Sequence, residues 1–68
     1  MRQIILTKGE DGFWVVECPS LPGCISQGET KEEAINNIKE AIRLYTECLL
    51  EDGIEIPKEN YEAMTLVI

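Results

Sequence analysis

The spacing of apolar positions changes once along this chain, from a period of two to a period near three and a half. From Arg2 to Thr7, Gln3, Ile5 and Thr7 alternate with Ile4 and Leu6, which predicts a first strand. Lys8-Gly9-Glu10-Asp11-Gly12 is dense in turn formers, and Asp11-Gly12 is a strong hairpin signal. Phe13 to Cys18 is aromatic and β-branched and reads as a second strand. Its Trp14/Val16/Cys18 face is uniformly apolar and is assigned to the core, leaving Phe13/Val15/Glu17 on the other side. Pro19 ends the strand because it has no N–H for the ladder. Pro22-Gly23 suits the centre of a type II turn, where proline sets φ and glycine accepts a positive φ. Cys24 to Gln27 reads as a brief third strand closed by Gly28, completing an antiparallel meander.

The longer period begins after Thr30. Thr30 followed by Glu33 is a capping box, and Glu32 and Glu33 sit where the helix dipole favours negative charge. Ala34, Ile35, Ile38, Ala41, Ile42, Tyr45, Cys48 and Leu49 then recur at steps of three and four, one apolar stripe along a helix. Glu32, Asn36, Lys39, Glu40, Arg43 and Glu47 take the opposite side, and Leu44 and Leu50 fall off the stripe. Asp52-Gly53 supplies the stop, with glycine at C′. After it, Ile54-Glu55-Ile56-Pro57 is extended, Lys58 to Glu62 reads equally as helix or loop, and Ala63 to Ile68 predicts a fourth strand.

One amphipathic helix among short strands hides its stripe only against their sheet. The predicted fold is therefore α+β, a two-layer β-β-β-α-β domain with an antiparallel sheet packed on one helix, over residues 1–68 as a single domain. Such a layout covers one sheet face and leaves the other open. Here the open face carries Phe13 and Val15, and contiguous exposed apolar area marks an association surface.

Composition narrows the function. At 68 residues the domain buries only roughly 60% of its unfolded surface, so oligomerisation, as a homodimer or homotetramer, is expected to help. The 13 acidic against 6 basic residues give a net charge of -7, which disfavours direct nucleic-acid binding and favours a basic partner. Apolar runs are too short to span a membrane, and no leader-like segment opens the chain. An odd count of three cysteines argues against a disulfide framework and fits a cytoplasmic setting.

Catalytic chemistry finds little footing. Without histidine, no nucleophile–base–orienter triad can be assembled around Ser20 or Ser26. Cys18 and Cys24 lack zinc-site spacing, and Cys48 lies on the helix stripe, so all three read as small buried hydrophobes rather than metal ligands. Asp11, Glu17, Glu40 and Glu47 are the acids a residual metal-dependent nuclease could draw on, with dependence on Glu17 or Glu40 required. No metal and no cofactor is expected.

Glu17-Cys18-Pro19-Ser20-Leu21-Pro22-Gly23-Cys24, then Gln27-Gly28-Glu29-Thr30-Lys31-Glu32-Glu33-Ala34, resembles the HicB family of toxin–antitoxin antitoxins. The hairpin from Ile4 to Cys18 and the proline at position 57 are similar to that family as well. The resemblance implies a β-β-β-α-β layout, described as a degenerate ribonuclease H-like core without its catalytic acids. It implies architectural roles for Pro19, Leu21, Pro22, Gly23, Gly28, Thr30, Glu33 and Ala34.

It also implies a partner, a small basic toxin ribonuclease that cleaves mRNA and is neutralised by binding. Family members commonly carry a C-terminal DNA-binding segment. The sequence stops at Ile68 before any such segment, so direct operator contact is not expected. Acidic groups would steer the toxin while an apolar centre supplies affinity. Glu10, Asp11, Phe13, Val15, Glu17, Glu29 and Leu44 are the expected partner-binding residues. The alternatives are an orphan oligomeric domain with a structural or small-ligand role, and the residual nuclease.

Overall fold

A computed structural model describes residues 2–59 and 66–68. Three strands, β1 (Ile5–Lys8), β2 (Trp14–Glu17) and β3 (Ile25–Gly28), precede one helix, α1 (Lys31–Glu51). The strands form an antiparallel sheet in the order β1-β2-β3. Val16 pairs with Leu6 on one side and Ser26 on the other. The two-layer α+β arrangement is as the pattern predicts, with each strand about a residue or more shorter or shifted at its ends.

Local chemistry sets the turns. Gly12 donates to the Gly9 carbonyl at 3.1 Å and takes φ of 88°, so the β1–β2 hairpin is a type I turn followed by a glycine bulge. Asp11 Oδ1 accepts from the Phe13 amide at 3.1 Å and stiffens that turn. Cys24 donates to the Leu21 carbonyl at 3.0 Å across Pro22-Gly23, and Gly23 has φ of 81°, the expected type II geometry.

Helix α1 starts on Thr30, whose Oγ1 accepts from the Glu33 amide at 3.1 Å. That is one half of the capping box, and no bond from the Glu33 carboxylate back to the Thr30 amide is formed. The far end is a Schellman motif: Gly53 donates to Leu50 O and Ile54 to Leu49 O, at 3.1 and 2.8 Å.

The core is small. Val16, Cys18, Leu21, Cys24, Ala34 and Ile38 are buried, with Ile4, Leu6, Trp14, Ala41, Ile42 and Tyr45 packed around them. Leu21, from the Pro19–Gly23 loop, is fully buried, so that loop is part of the core. At the edge of the core the Trp14 ring lies beneath two ammonium groups, Lys31 Nζ at 5.1 Å and Lys8 Nζ at 5.9 Å from its centre.

Two expectations need correction. Cys48 is exposed, because only the first half of the helix stripe, at Ala34 and Ile38, reaches the fully buried centre. For the fourth strand, Ala63 to Thr65 lie outside the described residues, as do Asn60 to Glu62. Leu66, Val67 and Ile68 form no strand and stand exposed.

Gly28 allows the helix to come down on β3. A Cβ there would lie 2.5 Å from the Ala34 amide nitrogen and 2.9 Å from the Glu33 carbonyl carbon, both backbone atoms. Gly28→Ala should therefore push the first helical turn off the sheet and cost about 1–3 kcal/mol, read as a lower urea midpoint with an unchanged slope.

Candidate protein-binding surface

The register decides what the open sheet face displays. Ile5, Glu17 and Ile25 stand in one row across the three strands, and Thr7, Val15 and Gln27 in the next. Alternation sends Leu6, Val16 and Ser26 to the helix side, so these two rows share the outer face. All six residues are exposed. Ile5, Val15 and Ile25 are 37%, 39% and 58% accessible, a cluster that a lone globular domain gains nothing by exposing. Glu17 is the one charge in these two rows.

Other expected contact residues gather at the hairpin end. Phe13 continues the Val15 side of β2 and is half-buried. Continued by one residue, the β2–β3 register sets Glu29 level with it. Glu10 and Asp11 occupy the neighbouring turn and are exposed, and Asp11 is already engaged by the Phe13 amide. Leu44 is not on this face. It is 47% exposed on the flank of α1, where it lines an apolar groove of about 410 Å³ with Ile25, Tyr45 and Cys48.

Of the eight residues given architectural roles, Glu33 contributes its amide to the Thr30 cap, while its carboxylate accepts no bond from the Thr30 amide. Leu21 and Ala34 are buried, Pro22 and Gly23 form the turn, Gly28 meets the helix, and Thr30 caps it. Pro19 follows Cys18 within a turn closed by the Leu21 amide on the Cys18 carbonyl at 3.0 Å.

The sheet also carries a polar clasp that the sequence pattern does not single out. Arg2 donates to Ser20 Oγ at 2.9 Å and to the Pro57 carbonyl at 2.6 Å. Ser20 Oγ donates to Glu59 Oε2 at 2.6 Å, and the Gln3 amide donates to Glu59 Oε1 at 3.2 Å. The residues after the helix are thereby tied to the start of the sheet. Three ordinary surface residues far apart in sequence carry no local signal of such a meeting.

Reactive groups are not drawn together. Among the described residues no three His, Cys, Asp or Glu side chains are placed to hold a metal ion. Glu17 is on the face away from the helix, while Glu40 is on the helix surface, bonded to Arg43, which keeps its carboxyl below the ordinary range. Glu17 and Glu40 of the nuclease reading therefore do not converge. Burial pushes the Cys24 thiol up, aided by neighbouring Cys18, and this disfavours a thiolate. No helix among the described residues is long and apolar enough to cross a membrane.

A small α+β scaffold with an exposed apolar sheet face and an acidic margin defines a protein-binding domain. Residues 3–66 match the family described as "HicB_like antitoxin of bacterial toxin-antitoxin system", and the chain belongs to that family. A UPF0150 protein of Thermoplasma acidophilum is 54% identical over 63 residues, spanning 93% of this chain and 91% of that protein. A UPF0150 protein of Synechocystis is 51% identical over 57 residues, 84% of this chain and 72% of that one. The crystal structure of the N-terminal domain of Burkholderia pseudomallei antitoxin HicB superposes with a TM-score of 0.73 at 34% identity. The match covers 91% of this chain and 69% of the Burkholderia chain.

The clasp makes an acid-sensitive joint. The Ser20 hydrogen bond, with the Gln3 amide and the Arg2 charge, holds the Glu59 carboxyl below its ordinary value near 4.5. A depressed folded-state value means that the contribution is complete above the unfolded value and is lost as pH falls through the folded one. Protection of the Gln3 amide, taken relative to its intrinsic exchange rate at each pH, should fall below about pH 4.5, and Glu59→Gln should abolish that step, as followed by NMR.

Proposed function

We propose that this chain is a non-enzymatic antitoxin that acts as a single domain to bind and neutralise a small basic mRNA-cleaving toxin. The observation that carries the reading is the open sheet face, where Ile5, Val15 and Ile25 surround Glu17 and no basic side chain stands among the six. Apolar area of this kind supplies affinity once desolvated, and the surrounding field of a chain of charge -7 steers a cationic partner toward it. A toxin that grips RNA through a basic surface would have that surface occluded by the contact. Glu10, Asp11 and Glu29 at the hairpin end extend the acidic margin, and Phe13 the apolar centre. Family membership supports the partner class, and the reading places the protein in the cytoplasm without direct nucleic-acid contact.

Self-association, as a homodimer or homotetramer, belongs to the same reading. Its support is the thin core together with apolar area beyond what one partner face requires.

Co-expression with candidate small basic mRNA-cleaving toxins of this family should yield, with the cognate one, a complex that weakens with added salt. Glu17→Lys should lower the affinity at least tenfold, since a like charge in the contact costs several kcal/mol, and should flatten the salt dependence. Equal affinity of the Glu17→Lys variant and the parent by calorimetry would remove the sheet face from the reading.

A further inference from the structure

Glu17 stands in apolar surroundings that its own chain does not neutralise. The register puts Ile5 on one side of it and Ile25 on the other, and alternation puts Val15 one step along the strand on the same face. Among the described residues its carboxylate enters no ion pair. Cations of the chain are committed elsewhere. Arg2 is held in the clasp, Lys8 and Lys31 lie against the Trp14 ring, and Arg43 bonds Glu40 and Glu47.

In the free chain the exposed carboxylate keeps its water, and the arrangement costs nothing. Covering the face changes that. A buried ionised carboxylate without a partner costs more than the surrounding apolar contact returns. Whatever covers Ile5, Val15 and Ile25 must therefore bring a cation to Glu17. A second copy has none to offer here, because a two-fold contact would set this face against itself.

The neighbours also choose between the two cationic side chains. Thr7 and Gln27 stand one diagonal step from Glu17 on either side, each with a side-chain oxygen. A guanidinium can bond the carboxylate bidentately and still has N–H groups left for those oxygens, whereas an ammonium is a compact, strongly hydrated charge. The methylene stem of an arginine also packs on apolar surface such as Val15.

We propose that Glu17 is the recognition point of the sheet face and takes one arginine of the toxin, its guanidinium on the carboxylate between Ile5 and Ile25. The proposal rests on the toxin-binding reading above and names the group by which that partner is recognised. Apolar contact around the pair excludes water and supplies affinity with little selectivity. The pair itself fixes the register of the two surfaces and rejects partners without a cation at that point.

Double-mutant cycles with the toxin retained in the co-expression above test the pairing. Each arginine and lysine of that toxin is changed to alanine, alone and together with Glu17→Gln, and affinities are read by calorimetry. One toxin arginine should couple to Glu17. Each single change should weaken the complex about tenfold or more, and the two together little more than either alone. Lysine in place of that arginine should recover only part of the loss. Glu55→Gln, at an exposed acid beyond the helix, should leave the affinity within about twofold. Losses that add for every toxin arginine, a toxin lysine that couples instead, or an equal loss from Glu55→Gln would overturn the pairing and leave the toxin complex standing. Failure of every toxin of the family to form a complex would overturn the toxin reading, and the pairing with it.

Discussion

The whole arrangement depends on one burial: the stripe of α1 has only one sheet face to lie on. Ala34 and Ile38 are fully covered because Gly28 lets the helix N-terminus approach β3 at backbone distance. With that contact made, Val16, Cys18 and Cys24 are enclosed from above and Leu21 seals the end. The two outer rows, Ile5, Glu17 and Ile25 with Thr7, Val15 and Gln27, are left exposed by the same act. The exposed row of Ile5, Glu17 and Ile25 is thus the geometric complement of the core, fixed by the alternation that turns Leu6 and Val16 to the helix side.

Helix and sheet also differ in length, and that mismatch makes the second apolar region. Twenty-one helical residues extend roughly 31 Å, whereas a four-residue strand covers roughly 13 Å. The helix outruns the ladder. Beyond Ala41 its stripe finds the Pro22 turn and the start of β3 beneath it, so Tyr45 and Leu49 are half-covered and Cys48 is bare. The overhang explains how a stripe that is continuous in sequence becomes core at one end and groove wall at the other.

Features carried by local chemistry were legible from residues alone. Asp11-Gly12, Pro22-Gly23 and Asp52-Gly53 each encode a backbone shape within a few positions and each adopts it, while Thr30 with Glu33 forms the Thr30 half of its capping box. The open face at Val15 was legible too, since period-two alternation assigns it without reference to any other element. The exposure of Cys48 was not, because periodicity places a residue on a stripe but cannot say where the sheet below it ends. Nor was the grouping of Ile25 with Leu44, which needs the helix's position over β3. The meeting of Arg2, Ser20 and Glu59 was hidden for a different reason. Each is an unremarkable polar residue whose partner is chosen by tertiary placement.

That clasp has a consequence for the order in which the molecule assembles. Arg2 and Pro57 are 55 residues apart, whereas Gly9 and Phe13 close the first hairpin across a few. Bringing the distant pair together from an open chain costs about 2 kcal/mol more in loop entropy than closing the hairpin. The meander and the helix can form from near neighbours, and only their docking brings the two ends of the path within reach. The clasp is then the last latch to close and the first to release, so a strained molecule would let go of its post-helix segment before it surrendered the sheet.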